Sequence, residues 1–152
     1  MEYDRGLDDL AFEFFKEFAR AEYALKASGF HKGEGNAEAN WPDFAEQVEP
    51  LIQNPSSEAL EDAINFILQT PPKKQVIQEG VIQWSESPPN HPVKAENLLI
   101  YVRRVRNNLF HGGKFNGHWF APERSEALLR HCLVILRACI DFVDSAREAY
   151  NG

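Results

Sequence analysis

The sequence predicts an all-α protein, a compact helical bundle of about five helices in a single domain spanning residues 1–152. Apolar residues recur at spacings of three and four along five segments, which is the period of a helix with one buried face. Hydrophobic residues make up 43% of the chain and charged residues 26%, a mixture typical of a folded globular domain. We find no stretch that combines sustained alternation with the turn residues of a sheet.

The first helix is predicted from about Leu7 to Ser28, before a glycine at position 29 that can cap its C-terminus. Its apolar stripe consists of Leu7, Leu10, Phe14, Phe18, Ala21 and Leu25. The polar, glycine-rich stretch that follows, residues 31–36, is typical of a surface loop.

Two shorter helices follow this loop. The second begins near Trp41-Pro42, with the proline in the first turn, and ends at the Asn54-Pro55-Ser56-Ser57 cluster. Ser57 is the predicted N-cap of the third helix, which Thr70-Pro71-Pro72 ends. Residues 73–92 are compatible either with a short helix or with an extended docking segment, so this part of the chain stays open.

The fourth helix is predicted from about Val93 to Phe110, where the Gly112-Gly113 pair should stop it. Its apolar stripe is Leu98, Val102, Val105 and Leu109, with Tyr101 beside it. The last helix is predicted as one long element from about Glu123 to Tyr150. Its stripe is Leu128, Cys132, Ile135, Cys139, Phe142 and Ala146.

The two cysteines are expected to be buried thiols rather than a disulfide. Cys132 and Cys139 lie seven residues apart in one helical pattern, which separates them by roughly 10 Å. A disulfide needs Cα atoms within about 7 Å. With no secretory signal at the start and no apolar run long enough to span a bilayer, we expect a cytoplasmic protein without a membrane segment.

Charge is distributed unevenly along the chain. The formal net charge of −7 argues against a broad, non-specific grip on nucleic acid, because that affinity comes mainly from basic residues meeting phosphates. The stretch from Lys94 to Lys114 is nevertheless basic. It holds Lys94, Arg103, Arg104, Arg106 and Lys114 against the single acid Glu96.

The end of the fourth helix is the candidate site. At about 100° per residue, Arg104 and His111 fall almost on one line, whereas Arg106 lies about 140° away from His111. A histidine at a helix C-terminus is stabilised in its protonated form by the helix dipole. An imidazole that transfers protons beside fixed guanidinium groups suits chemistry at a phosphate. The alternative is that His111 only caps the helix and that the arginines pair with the acidic first helix.

The stretch Arg106-Asn107-Asn108-Leu109-Phe110-His111, followed by Gly112-Gly113-Lys114, resembles the signature of the HEPN superfamily. In that signature an arginine and a polar residue are followed, after four to six intervening positions, by a histidine. The run from Phe18 to Lys26 is similar to the first helix of HEPN-type proteins, in which an acid often faces the motif. Glu22 is the corresponding acid here.

The resemblance implies metal-independent RNA cleavage at a cleft shared by two protomers. In this interpretation His111 assists attack of the 2′-hydroxyl on the adjacent phosphate or protonates the leaving oxygen. Arg106 stabilises the phosphorane, with Arg104 as the alternative for that role. Asn107 orients the histidine or the phosphate, and Lys114 adds phosphate affinity. A homodimer, RNA and a nucleotidyltransferase-like antitoxin or other protein are the partners implied, within a toxin–antitoxin or defence system.

Two other interpretations remain open at this point. In one, the same bundle is a non-catalytic module that binds RNA, a nucleotide or a protein. In the other, it is a structural helical dimer in which the motif only orders its helix end. No cofactor or metal is expected, because the glycine spacings fit neither a dinucleotide fingerprint nor a P-loop and the histidines lack paired metal-ligand spacing.

Overall fold

The computed structural model describes the backbone of residues 2–110, 114–115, 118–119 and 122–152, and the side chains of residues 6–109 and 124–152. Helices dominate these ranges, so the predicted helical bundle is confirmed in outline. The helices are α1 (Glu2–Ala27), α2 (Trp41–Gln53), α3 (Glu58–Gln69), α4 (Lys94–Phe110), α5 (Pro122–Phe142) and α6 (Asp144–Asn151). The strands are β1 (Lys74–Gln78), β2 (Val81–Ser85), β3 (Lys114–Phe115) and β4 (His118–Trp119).

Local capping chemistry explains where α1 ends and where α3 begins. The Ser57 hydroxyl accepts a hydrogen bond from the Leu60 amide at 3.1 Å, which confirms the predicted N-cap of α3. Gly29 has a φ of +97°, the left-handed conformation that closes many helices. The Phe30 amide beyond it donates to the Leu25 carbonyl at 2.8 Å. The predicted glycine cap of α1 is therefore confirmed.

The core forms where the apolar faces of the helices meet. α1 packs on α5 and α6, α2 packs on α4, and α3 packs on α5. All six residues of the predicted α1 stripe are buried, and Phe14 is completely enclosed. Each such large apolar side chain contributes about 1.5–3 kcal/mol through its removal from water. Cys132 and Cys139 are buried free thiols in this core, which confirms that they do not bridge each other.

The prediction of one long last helix is wrong. Val143 is extended, with φ −102° and ψ 111°, and separates α5 from α6. Phe142, placed in the predicted stripe, is 45% exposed, whereas Ala146 is buried. The bend allows α6 to pack against α1 as well as α5. Continuous helical periodicity hid the bend because Ala146 remains on an apolar face after it.

The expectation that the chain contains no sheet is also wrong, and it fails in the segment left open at residues 73–92. β1 and β2 pair in an antiparallel hairpin, with Gln78 opposite Val81 across a two-residue turn. The turn residues Glu79 and Gly80 both have positive φ, +53° and +75°. This is the type I′ pattern that matches the twist of hairpin strands. The usual sequence signal, Asn-Gly, is replaced here by Glu-Gly, which hides the turn from sequence reasoning.

The loop between α1 and α2 is closed at its base. The Asn40 amide donates to the Phe30 carbonyl at 2.9 Å, and the Lys32 amide donates to the Glu38 carbonyl at 3.2 Å. An isolated antiparallel bridge joins His31 and Ala39 between them. The loop tip, residues 33–36, is exposed.

Candidate functional site

Helix α4 carries the candidate site near its C-terminus, and its N-terminus is fixed by another helix. The Glu49 carboxylate of α2 accepts hydrogen bonds from the amides of Lys94, at 3.1 Å, and Ala95, at 2.7 Å. These amides have no partner within the helix, and a negative charge there also interacts favourably with the helix dipole. Three residues of the α4 stripe, Leu98, Val102 and Val105, are buried, and Leu109 is partly buried. The arginines of α4 are thereby held on defined flanks of a fixed helix.

The structure brings Arg106 and Asn107 together. The Arg106 Nη1 donates to the Asn107 side-chain oxygen at 3.0 Å. The Arg106 guanidinium also lies 5.7 Å from the centre of the Phe18 ring on α1, within the range of a cation–π interaction. Arg106 is half-buried, whereas Asn107 is exposed. The pair therefore presents a guanidinium with a restricted orientation beside an accessible amide.

Arg104 occupies a different environment on the same helix. Its guanidinium lies 5.4 Å from the centre of the Tyr101 ring. Its Nη1 atom is buried and has no hydrogen-bond partner among the described residues. A buried donor without an acceptor costs about 1–3 kcal/mol. A ligand oxygen would remove that cost where a local rearrangement exposes Nη1, since the atom is buried here.

Glu22, the acid that the resemblance assigns to the motif, interacts electrostatically with Arg103 of α4. Burial lowers the pKa of Arg103, while the charges of Glu22 and Glu96 act in the opposite direction and raise it. The Glu22 carboxylate also accepts a hydrogen bond from the Trp41 indole at 2.9 Å. Glu22 thus joins α1 to α2 by a hydrogen bond, and its charge acts on Arg103, which stands three residues before Arg106.

The acidic face of α1 binds an arginine of α5. The Arg137 Nη2 donates to Glu13 at 2.7 Å, and its Nε donates to Glu17 at 2.9 Å. These hydrogen bonds raise the pKa of Arg137, because they favour the charged guanidinium. Tyr150 of α6 donates to the same Glu17 carboxylate at 3.3 Å. Two of the acids that could have neutralised the α4 arginines are therefore engaged elsewhere.

Sequence reasoning missed that the hairpin is attached next to the motif. The Asn108 side-chain amide donates to the Lys73 carbonyl at 2.8 Å. From the first turn of α5, the Arg124 Nη2 donates to the Pro71 carbonyl at 2.8 Å. Asn108 belongs to α4 and Arg124 to α5, the helices that precede and follow residues 111–121. The base of the hairpin is consequently held by both flanks of the candidate site.

The rest of the predicted site is described in part. His111, and the Gly112-Gly113 stop expected after it, lie outside the described residues. Lys114 begins β3 and is paired with Trp119 of β4, but its side chain lies outside the described part. The structure therefore describes the side chains of the motif from Arg106 to Leu109, but not those of His111 and Lys114.

Metal-ligand clusters and membrane-spanning helices are both absent from the described part of the chain. Among these residues, no three His, Cys, Asp or Glu side chains lie close enough together to hold a metal ion. None of the described helices is both long enough and apolar enough to cross a membrane. Comparison with protein-family models, with curated proteins and with solved structures gave no match in any of the three.

Proposed function

We propose that the chain is a HEPN-like, metal-independent endoribonuclease whose site lies at the C-terminal end of α4. The observation that carries this proposal is the buried Nη1 of Arg104, which has no acceptor among the described residues. Arg104 stands three residues before Asn107 and seven before His111. A non-bridging phosphate oxygen is the acceptor that this donor suits, because guanidinium groups bind phosphate through charge-assisted hydrogen bonds.

The proposed reaction is an internal transfer at phosphorus. The ribose 2′-oxygen bonds to the adjacent phosphorus as its proton is removed, and the bond from phosphorus to the 5′-oxygen breaks. The leaving oxygen takes up a proton, giving a 2′,3′-cyclic phosphate and a 5′-hydroxyl end. His111 serves as the acid or base. Arg104 or Arg106 stabilises the charge that develops on the phosphorane oxygens.

The remaining site residues have supporting roles in this proposal. The Asn107 side-chain oxygen accepts a hydrogen bond from Arg106 at 3.0 Å and so orients the guanidinium. In this proposal Asn107 also orients a phosphate or the histidine. Lys114 adds affinity for the RNA backbone. Glu22 stabilises the charge of Arg103 on the basic helix and accepts a hydrogen bond from Trp41 of α2. A second copy of the motif completes the cleft across a two-fold axis.

A second candidate function is a non-catalytic HEPN-type module that binds RNA, a nucleotide or a protein such as a nucleotidyltransferase-like antitoxin. The formal net charge of −7 favours it, since an acidic chain is repelled by bulk RNA and can accommodate a basic protein. In this case Arg104 and Arg106 bind the partner and His111 is dispensable.

Incubation of the protein with mixed RNA in EDTA separates the two functions. We expect wild-type protein to leave cyclic phosphate and 5′-hydroxyl ends. His111→Ala should lower the cleavage rate by about 100-fold or more, the usual contribution of a positioned acid or base. Arg104→Met and Arg106→Met identify the arginine that acts on the phosphate. Arg130→Met is the matched control, because Arg130 is exposed on α5 and bonded to Glu126.

The products and the fold decide the outcome together. Circular dichroism must show that each variant keeps its helical content. Cleavage that persists at the wild-type rate in the folded His111→Ala variant would overturn the proposed mechanism. RNA binding without cleavage by wild type and variants alike would establish the binding module instead.

A further inference from the structure

The β1–β2 hairpin has one strongly apolar face. Residues that pair directly across an antiparallel hairpin lie on the same face, so Ile77 and Ile82 share a face with Trp84. Ile77 is 70% exposed, Ile82 58% and Trp84 42%. Three large apolar side chains are thus presented to solvent on one small element. Such a contiguous patch on a protein surface is typical of an interaction site.

The hairpin is attached to the helical bundle mainly at its base. Within the described residues, the side-chain hydrogen bonds that connect it to the bundle are at its base, from Asn108 to Lys73 and from Arg124 to Pro71. A two-stranded hairpin is only marginally stable in water, and a third strand or a packed face is usually needed. β2 is the more exposed strand, because four of its five residues are exposed, whereas β1 has two half-buried residues and contacts α4.

The outer edge of β2 has a defined hydrogen-bonding pattern. Gln78 and Val81 close the two-residue turn and therefore form a hydrogen-bonded pair. Hydrogen-bonded and non-hydrogen-bonded pairs alternate along antiparallel strands. It follows that Val81, Gln83 and Ser85 direct their backbone groups towards β1. Ile82 and Trp84 direct their N–H and C=O groups away from it, towards any further strand.

This pattern is self-complementary. If two β2 strands meet antiparallel about a two-fold axis through Gln83, Ile82 lies opposite Trp84 of the partner subunit. Both residues present outward backbone groups, so each Ile82–Trp84 combination forms a hydrogen-bonded pair. Their side chains then meet on the same face, as an aromatic residue beside a β-branched one, which stabilises cross-strand pairs.

Charge also favours a second copy as the occupant. Residues 73–86 contain two lysines and two glutamates and are neutral, whereas the whole chain carries −7. The hairpin is therefore a place where two acidic chains can approach with little repulsion. In the two-fold register Val81 faces Ser85 of the partner subunit, and Glu86 faces Gly80 of the partner subunit. No like charges are opposed.

We propose that the β2 edge is a homodimer contact, in which two hairpins form a four-stranded antiparallel sheet in the order β1, β2, β2, β1. With strands about 4.8 Å apart and about 3.4 Å per residue, the two Lys74 residues lie roughly 20 Å from each other. The contact does not rest on the proposed function, because the hairpin edge itself contains no residue of the motif. Its two-fold axis passes through Gln83 and is separate from the axis that would complete the cleft.

Disulfide trapping tests the register. At a non-hydrogen-bonded antiparallel pair the Cα atoms are about 4.5 Å apart, which a disulfide can span. We expect Gln83→Cys to give a covalent dimer under mild oxidation on a non-reducing gel. Val81→Cys is the matched control on the same strand and face, because its two copies are about 14 Å apart in this register. Cys132 and Cys139 are buried and do not interfere.

Sedimentation tests the contact without oxidation. We expect a reversible dimer of the wild type and an increase of at least about 10-fold in the dissociation constant for Ile82→Lys. Gln78→Lys adds the same charge to β1, away from the β2 edge, and should leave dimerisation unchanged. Ile82 is 58% exposed, so the bundle tolerates the substitution.

Three results would overturn the proposal. The first is a wild type that stays monomeric throughout the concentration range. The second is a dimer that Ile82→Lys does not weaken, since it would use another surface. The third is equal cross-linking at positions 81 and 83. A monomer whose β2 amides are protected from exchange only after RNA is added would assign the edge to RNA instead.

Discussion

Replacing Glu49 tests how the basic helix is stabilised at its N-terminus. Glu49 belongs to α2, yet its two carboxylate oxygens accept hydrogen bonds from the first two amides of α4, at 3.1 and 2.7 Å. The Gln53 side-chain amide donates to the same carboxylate at 3.1 Å and fixes its orientation. The carboxylate thus caps a helix 45 residues away in sequence.

The expected cost follows from these contacts. Hydrogen bonds to a charged group contribute about 1.5–3 kcal/mol each when they are fully shielded. Glu49 is only partly buried, and water can replace its carboxylate at the amides once it is removed. We therefore expect Glu49→Ala to lower the free energy of unfolding by about 2 kcal/mol, near the upper end for a lost helix cap. Glu49→Gln keeps an acceptor oxygen and loses the charge, so about 1 kcal/mol is expected.

Urea unfolding followed by circular dichroism measures both losses of free energy, provided that the slope of the free energy of unfolding against urea concentration is the same in all variants. Glu46→Gln is the control, since Glu46 is an exposed residue of the same helix. Hydrogen exchange should in addition show faster opening of the first turn of α4 in Glu49→Ala. Losses below about 0.5 kcal/mol in both Glu49 variants would refute the reasoning, because they would fall within the usual range of a surface substitution.

The packed helices allow three further predictions. Arg137→Met should lower the free energy of unfolding by about 1 kcal/mol, because a half-exposed network of two carboxylates loses its cation. Arg130→Met removes an exposed arginine and should change the free energy of unfolding little. Equal urea midpoints for the two variants would contradict this prediction. Burial lowers the pKa of His131 in the folded protein, so the imidazole binds a proton more readily in the unfolded chain. The free energy of unfolding should therefore fall as pH decreases from 7 to 5. His131→Gln should reduce that fall, and an unchanged pH profile in thermal melts would contradict the assignment. Burial raises the pKa of Cys139 to about 12 and that of Cys132 well above its usual range. A thiol reagent should therefore label both cysteines only after unfolding. Labelling of the native protein within seconds would contradict their burial.

The features predictable from the sequence are those set by near neighbours. The α1 stripe from Leu7 to Leu25 is predictable because a single helix with one buried face dictates its spacing. The Ser57 cap is predictable because its acceptor and donor are three residues apart. The basic end of α4 is likewise visible, since Arg104, Arg106 and Asn107 lie within one turn.

The features that sequence reasoning missed depend on distant partners or on unusual turn residues. The hairpin is closed by Glu79 in a left-handed conformation that glycine or asparagine normally adopts. The bonds from Asn108 to Lys73 and from Arg124 to Pro71 join residues 35 and 53 positions apart. Spacing rules carry no information about such pairs, so the link between hairpin and motif emerges only from the fold.

The closed base of the loop between α1 and α2 makes this loop a place where extra chain can be inserted. The backbone hydrogen bonds of Asn40 and Lys32 keep the loop ends together independently of what lies at the tip. The tip residues 33–36 are exposed and carry no buried side chain. Lengthening a loop costs little free energy once its ends are fixed. A fluorescent or affinity tag inserted between Glu34 and Gly35 should therefore report on the protein in cells while both chain termini stay unmodified.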